Sequence, residues 1–293
     1  GSYHLSDATW GGRPLELPRI QGADAVGCIV AVGEGVSSTR LGERVMVDGW
    51  LRDPQDISNP SKARFFGSEC DGGFAQFATL PSQNAYSVNC ELSNVELATF
   101  GAAYSTAENL LRKTRLRENE TLLVTGASGG VGGAMIQLAK CRGARVIALT
   151  SRAKFDSVSE LGADVCIDRD ERDLPAALRD AKELETVDVV GDVVGGGLFG
   201  RLIDVLRPGG RYGTSGAIAG PEVAFNLRHL IYRDLEFYGA TFQAQDIFAI
   251  VVRYIEQGAI KPIVAKTFPL FELGRAQTEF IEKQHTGNFV IEI

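Results

Sequence analysis

Short apolar runs alternate with amphipathic stretches through the middle of the chain. Leu122-Leu123-Val124, Val146-Ile147-Ala148-Leu149, Val165-Cys166-Ile167 and Val187-Asp188-Val189-Val190 read as buried strands, and Arg211-Tyr212-Gly213-Thr214-Ser215 and Leu235-Glu236-Phe237-Tyr238-Gly239-Ala240 continue the series. Uninterrupted apolar runs of this length are expected of parallel strands covered on both faces. Between the first two, Val131, Met135, Leu138 and Ala139 recur at helical spacing, and Arg142-Gly143 ends that helix. Shorter helices follow at 154–161, stopped by Gly162, and at 198–206, stopped by Pro208-Gly209-Gly210. Strands alternating with helices predict an α/β fold with a doubly wound parallel sheet, whose ligands sit at the carboxyl ends of the strands.

The pattern before residue 100 is different. Cys28-Ile29-Val30-Ala31-Val32, Arg44-Val45-Met46-Val47 and Phe74-Ala75-Gln76-Phe77-Ala78-Thr79 are short strand-like pieces between glycine turns, the grammar of an irregular β domain. Ser93, with Glu96 three residues on, predicts a helix start, and helical spacing continues to Arg112 through an interruption at Gly101. Near the other end, Asp246 is placed to cap a helix of Ile247, Ile250, Val251, Tyr254 and Ile255, and 289–293 is strand-like. The boundaries expected are a β domain over 1–100, an α/β domain over 101–242, and a return to the first over 243–293.

Composition narrows the class. With 44% hydrophobic residues in 293, the chain can bury a large core, and a net charge of −7 without a basic patch argues against nucleic acid as a partner. The acidic and basic run 168–173 reads as a solvated loop. Five scattered cysteines with no C-x-x-C fit reduced thiols in the cytoplasm. No apolar stretch reaches the roughly 18 to 20 residues that span a bilayer.

The candidate chemistry lies at Thr125-Gly126-Ala127-Ser128-Gly129-Gly130-Val131-Gly132, between the first strand and its helix. Glycines let the backbone turn tightly and approach a pyrophosphate, which sits against free N–H groups at the helix N-terminus. About 20 residues further on, an NAD site wants Asp or Glu for the ribose 2′-hydroxyl. The chain has Thr150-Ser151-Arg152-Ala153-Lys154 there. Hydroxyls with Arg and Lys would hold a 2′-phosphate that a carboxylate would repel, so the residues point to NADP(H). The plain alternative is a pair of solvated charges opening the next helix; the place at the strand's carboxyl end favours the cofactor.

The order of parts resembles the medium-chain dehydrogenase/reductase superfamily, and within it the zinc-independent quinone oxidoreductase-like branch. The likeness rests on Gly22-Ala23-Asp24-Ala25-Val26-Gly27, Gly42-Glu43-Arg44-Val45, Gly72-Gly73-Phe74-Ala75, Ser105-Thr106-Ala107, the 126–132 turn, and Leu206-Arg207-Pro208-Gly209-Gly210. It implies a Rossmann domain inserted in a GroES-like β domain, with Ser128, Gly129, Gly130 and Val131 at the pyrophosphate and Thr106 at the carboxamide. Thr150, Ser151, Arg152 and Lys154 would surround the 2′-phosphate, with Arg169 near the adenosine end and Ser215, Gly216 and Ala217 along the nicotinamide. Thr106 could instead bond its own helical turn, Ser215-Gly216 could be only a strand-ending turn, and Arg169 a surface charge.

The resemblance also implies what this chain lacks. Zinc-dependent members place His-Glu where Ala23-Asp24 stand and Cys at Ala102; alanine cannot ligate, so no metal is expected. His4, His229 and His285 lie outside the motifs. Further strands are implied ahead of Leu17-Pro18-Arg19-Ile20-Gln21-Gly22; should the molecule lack them, sheet edges would be unpaired and cofactor binding would follow without turnover. The activity implied is hydride transfer from NADPH to a quinone, an α,β-unsaturated carbonyl or an aldehyde in a homodimer, with the Tyr104 hydroxyl a candidate catalytic donor stabilising the developing oxyanion or, alternatively, a packed aromatic. A short-chain dehydrogenase would share the glycine pattern, but none of the seven tyrosines has Lys four residues later. A non-catalytic NADPH-binding protein would share every cofactor motif.

Overall fold

In a computed structural model, which describes residues 16–182 and 184–293, the chain opens with short strands. β1 (Val26–Cys28) and β2 (Arg44–Val47) pair antiparallel, with Val26 opposite Met46. β3 (Trp50–Leu51) pairs with β4 (Arg64–Phe65), and β5 (Ala85–Ser87) joins the other edge of β2. Helix α1 (Asn94–Leu97) starts on a full capping box, Ser93 and Glu96 exchanging hydrogen bonds. α2 (Gly101–Lys113) follows after a break at 98–100. Gly101 opens it because a Cβ there would fall 1.9 Å from Asp24 Oδ1.

The α/β rhythm then runs as β6 (Thr121–Val124), α3 (Gly130–Cys141), β7 (Arg145–Thr150), α4 (Phe155–Ser159) and β8 (Val165–Asp168). It continues with α5 (Leu174–Lys182), β9 (Val187–Asp192), α6 (Phe199–Asp204), β10 (Leu206–Thr214), α7 (Leu227–Tyr232) and β11 (Glu236–Gly239). The six strands form one sheet in the order β11-β10-β9-β6-β7-β8, every pair parallel. That is the doubly wound order, with the chain reversing direction across the sheet between β6 and β9. Leu122, Leu123 and Val124 at its centre are wholly buried. Gly143 ends α3 at φ +73°, where glycine pays no Cβ penalty.

The last segment holds α8 (Ile247–Glu256), β12 (Val264–Pro269), α9 (Leu273–Ile281) and β13 (Asn288–Glu292), with β12 and β13 paired parallel. Ile247, Phe248, Val251, Val252 and Ile255 bury one face of α8. The chain divides into two compact units: one takes the chain through Ser105 and resumes at Phe242, the other is Thr106–Thr241.

Several elements differ from the pattern reading. Residues 74–79 form no strand; Phe77 is 74% exposed, so the alternation there marks no buried face. β1 stops at Cys28, before the Ile29-Val30-Ala31-Val32 run. β10 begins at Leu206, ahead of the Pro-Gly-Gly expected to separate helix from strand, and its register slips between Leu206 and Arg211. Asp246 stands at the N-cap of α8 without a capping hydrogen bond from its side chain. His4 lies outside the described residues.

Candidate cofactor site

The site is built on the carboxyl ends of neighbouring parallel strands in the second unit. β6 ends at Val124, and the chain turns through Gly126 at φ +57°, a conformation that L side chains resist. The Gly129 N–H closes the turn onto the Gly126 carbonyl at 2.9 Å. Space fixes the glycines as much as conformation does. A Cβ at Gly126 would approach Val193 Cγ2 to 2.7 Å, and one at Gly132 would lie 2.2 Å from the Gly126 carbonyl oxygen. The first turn of α3 thus packs directly on the glycine turn. Gly129 is its N-cap and offers no side-chain acceptor, so the leading N–H groups at Gly130 and Val131 face outward with the positive end of the helix dipole.

β7 delivers the second group. Thr150 is buried at its end, paired in register with Asp168 of β8, and the Arg169 N–H donates to the Thr150 carbonyl at 2.9 Å. Lys154 reaches back to the glycine turn, its Nζ 3.5 Å from Ser128 Oγ. Arg152, 78% exposed in its side chain, donates from Nε to Asp168 Oδ2 at 2.7 Å. The turn, Ser128, Thr150, Arg152, Lys154 and Arg169 therefore stand on three adjacent strand ends. Asp168 belongs with them, although the charged run 168–173 reads as solvated loop. The N–H of Asp170 and the Arg152 guanidinium hold its carboxyl below the usual range.

Ser215, Gly216 and Ala217 follow β10. The Ser215 N–H donates to the Asp192 carbonyl at 3.1 Å, which ties them to the end of β9, next to β6. Ser215 Oγ is buried and has no hydrogen-bond partner among the described residues. A ligand group beside it would supply one, so this orphaned hydroxyl and the side-chain-free cradle at the turn both fit a dinucleotide. Thr106 is half-buried in α2, and no hydrogen bond among the described residues joins it to the turn.

Two positions in the first unit need correction or redefinition. Tyr104 is completely buried against Phe100, with ring centroids 4.7 Å apart, and its hydroxyl donates to the Lys261 carbonyl at 2.8 Å. That proton is committed to the protein, so the packed-aromatic alternative describes Tyr104 and the donor role does not. Ala23-Asp24 and Ala102 do come together: the Asp24 carboxylate accepts the Ala102 N–H. Burial lifts the Asp24 carboxyl to about 6 against the lowering effect of that bond. A backbone cap thus occupies the place the resemblance aligns with a metal site. Among the described residues no three His, Cys, Asp or Glu are grouped to hold a metal; His229 lies 3.7 Å from Asp204, and His285 stacks on Phe280 and Phe289. The same unit carries an open groove of about 1020 Å³ bordered by β1, residues 73–80 and β13.

Parallel sheet, glycine turn and helix end are the parts of a dinucleotide-binding domain. Comparison with known proteins agrees. The family model for the alcohol dehydrogenase GroES-like domain matches residues 2–89, and that for zinc-binding dehydrogenase matches residues 130–257. A solved structure of a putative alcohol dehydrogenase from Sinorhizobium meliloti is 46% identical, with TM-score 0.90 over 95% of this chain and 77% of that one. An acryloyl-coenzyme A reductase of Metallosphaera sedula is 28% identical over 94% of this chain and 84% of its own. A quinone oxidoreductase of Rattus norvegicus is 26% identical, covering 95% and 80%. The chain belongs to the medium-chain dehydrogenase/reductase superfamily, in its quinone oxidoreductase-like branch, and is an oxidoreductase of that family.

Proposed function

We propose that this chain uses NADPH, without zinc, to reduce a quinone, an α,β-unsaturated carbonyl or an aldehyde. The observation that carries the cofactor choice is the end of β7, where Thr150, Ser151, Arg152 and Lys154 stand in place of a carboxylate. When bound, the reduced nicotinamide supplies the hydride. The protein's part is to bind and orient. The α3 N-terminus and Ser128 meet the pyrophosphate, Arg152 and Lys154 the 2′-phosphate, with Arg169 toward the adenosine end. Ser215, Gly216 and Ala217 border the nicotinamide, and Thr106 reaches its carboxamide. Charge developing on the acceptor oxygen falls to hydroxyl, amide or water donors, since Ala23 and Ala102 carry no ligating atom.

We assign residues 1–100 and 243–293 to the catalytic domain and 101–242 to cofactor binding. A homodimer through the outer strand β11 fits the exposed Phe237 on it and Leu227, Ile231 and Tyr232 on α7. All five cysteines are free, which fits the cytoplasm, and among the described residues no helix is long and apolar enough to cross a membrane. The test is NADPH oxidation, followed by loss of the dihydronicotinamide absorbance, against quinones, enones, enoyl thioesters and aldehydes. Turnover with one class identifies the acceptor. Tight NADPH binding with no turnover on any class supports the non-catalytic alternative.

A further inference from the structure

The end of β9 carries a buried acid that the cofactor assignment does not use. Asp192 is completely buried, and among the described residues no cation pairs with it. Its charge is met by donors alone. Thr125 Oγ1 donates to Oδ1 at 2.5 Å and Tyr212 OH to Oδ2 at 2.6 Å. The Val194 N–H donates to Oδ1 at 2.8 Å, and the Gly195 N–H to Oδ2 at 3.1 Å. Thr125 Oγ1 accepts in turn from the Val193 N–H at 3.1 Å. Burial and the adjacent Asp192 charge push the Tyr212 phenol well above its ordinary range, so it stays a donor. Three strands, β6, β9 and β10, are thus tied at one carboxylate.

What the carboxylate holds is residues 193–195. Val193 fills the space a side chain at Gly126 would take, and its carbonyl lies 2.9 Å from where a Cβ of Gly216 would be. The Val194 carbonyl accepts from the Ala219 N–H at 2.9 Å. Gly195 and Gly196, at φ +65° and +60°, carry the chain away. Residues 193–195 are therefore wedged between the glycine turn and the segment after β10, the two places assigned above to the pyrophosphate and the nicotinamide.

We propose that Asp192 is a positioning residue for the nicotinamide half of the cofactor: it sets the distance between the glycine turn and residues 215–217 by pinning 193–195 between them. This rests on the NADPH reading of the site. Thr125 and Tyr212 are its struts, and neither it nor they touch the substrate.

The experiment compares two probes on Asp192→Asn, Tyr212→Phe and Thr125→Val, with Thr125→Ser as the conservative control. Adenosine 2′,5′-bisphosphate reports on the adenosine half alone, and the fluorescence of bound NADPH reports on immobilisation of the dihydronicotinamide. Asp192→Asn is expected to bind NADPH at least tenfold more weakly with its fluorescence enhancement lost, while the bisphosphate affinity stays within twofold of wild type. Tyr212→Phe and Thr125→Val should give smaller shifts in the same direction, and Thr125→Ser should restore wild-type behaviour. Equal loss of both probes in Tyr212→Phe and Asp192→Asn would overturn the proposal and leave the cofactor reading intact, because the carboxylate would then support the whole sheet end. Wild-type protein that binds neither probe would overturn both.

Discussion

Each unit buries a carboxylate beside a backbone turn, and the two are satisfied differently. In the second unit Asp192 collects four donors, from Tyr212 on β10 and from the residues just past β6 and β9, so one side chain fixes a loop at several points. In the first, Asp24 has a single hydrogen bond among the described residues, from the Ala102 N–H, and its carboxyl is lifted to about 6 by burial. Four donors make an anchor for a site that must keep its shape. One donor holds the end of α2 and leaves desolvation largely uncompensated. The contrast separates a loop pinned at several points from a helix start capped at one.

The largest effects should come from steric tests of the two regions. Gly132→Ala drives a Cβ to 2.2 Å from a backbone oxygen, and Gly101→Ala to 1.9 Å from the buried Asp24 carboxylate. The first neighbour is backbone and cannot step aside, so Gly132→Ala should cost about 3 kcal/mol or more in denaturant unfolding; the second is a side-chain end that can turn away by giving up its bond to the Ala102 N–H, so Gly101→Ala should cost less. Only Gly132→Ala should also abolish NADPH binding by the protein that remains folded. Gly200→Ala in α6, where nothing lies within 4 Å, should be neutral or stabilise by up to ~1 kcal/mol. Similar losses at all three positions would erase the contrast.

Removing both basic residues, in Arg152→Ala with Lys154→Ala, should weaken NADPH by roughly 100-fold and leave NADH within a few-fold, since a charged hydrogen bond is worth about 1.5–3 kcal/mol. Equal losses for the two cofactors in parallel titrations would sink the 2′-phosphate assignment.

A smaller effect follows Asp24 by pH. The Asp24 carboxyl is raised in the folded protein, so its contribution to stability is complete below the unfolded value of about 4 and is lost as pH rises through about 6. Between pH 7 and 5 the wild type should gain about 1 kcal/mol relative to Asp24→Asn, which keeps an acceptor for the Ala102 N–H but does not titrate. A flat difference between the two unfolding curves would contradict the single-donor picture. Smallest of all, Asp168→Asn frees Arg152 from an exposed ion pair worth about 0–1 kcal/mol, and should tighten NADPH by a few-fold at most in a titration.

How much of this was legible in the sequence follows the same division. The glycine turn and the strands around it could be read because their residues are contiguous and covered on both faces, which makes an apolar run unambiguous. The Asp192 anchor could not: its partners lie 67 and 20 positions away, and the acid is only a lone polar residue in Val-Val-Gly-Asp-Val-Val. The same sequence did hold a signal, an acid at the carboxyl end of an apolar strand. α5 was hidden behind the charges of 168–173, although Leu174 and Leu178 one turn apart are both buried. Residues 74–79 misled in the other direction, because alternation without a covered face makes no strand. Tyr104 was placed by its neighbours in sequence, whereas its partner, Lys261, is 157 residues away.

The proposed selection of NADPH by the end of β7 is tested by a fluorescence titration of the wild-type protein with NADPH and NADH at one ionic strength. Affinity for NADPH at least tenfold the greater, with the margin shrinking as salt screens Arg152 and Lys154, is the predicted result. Equal affinities, or a preference for NADH, would contradict it.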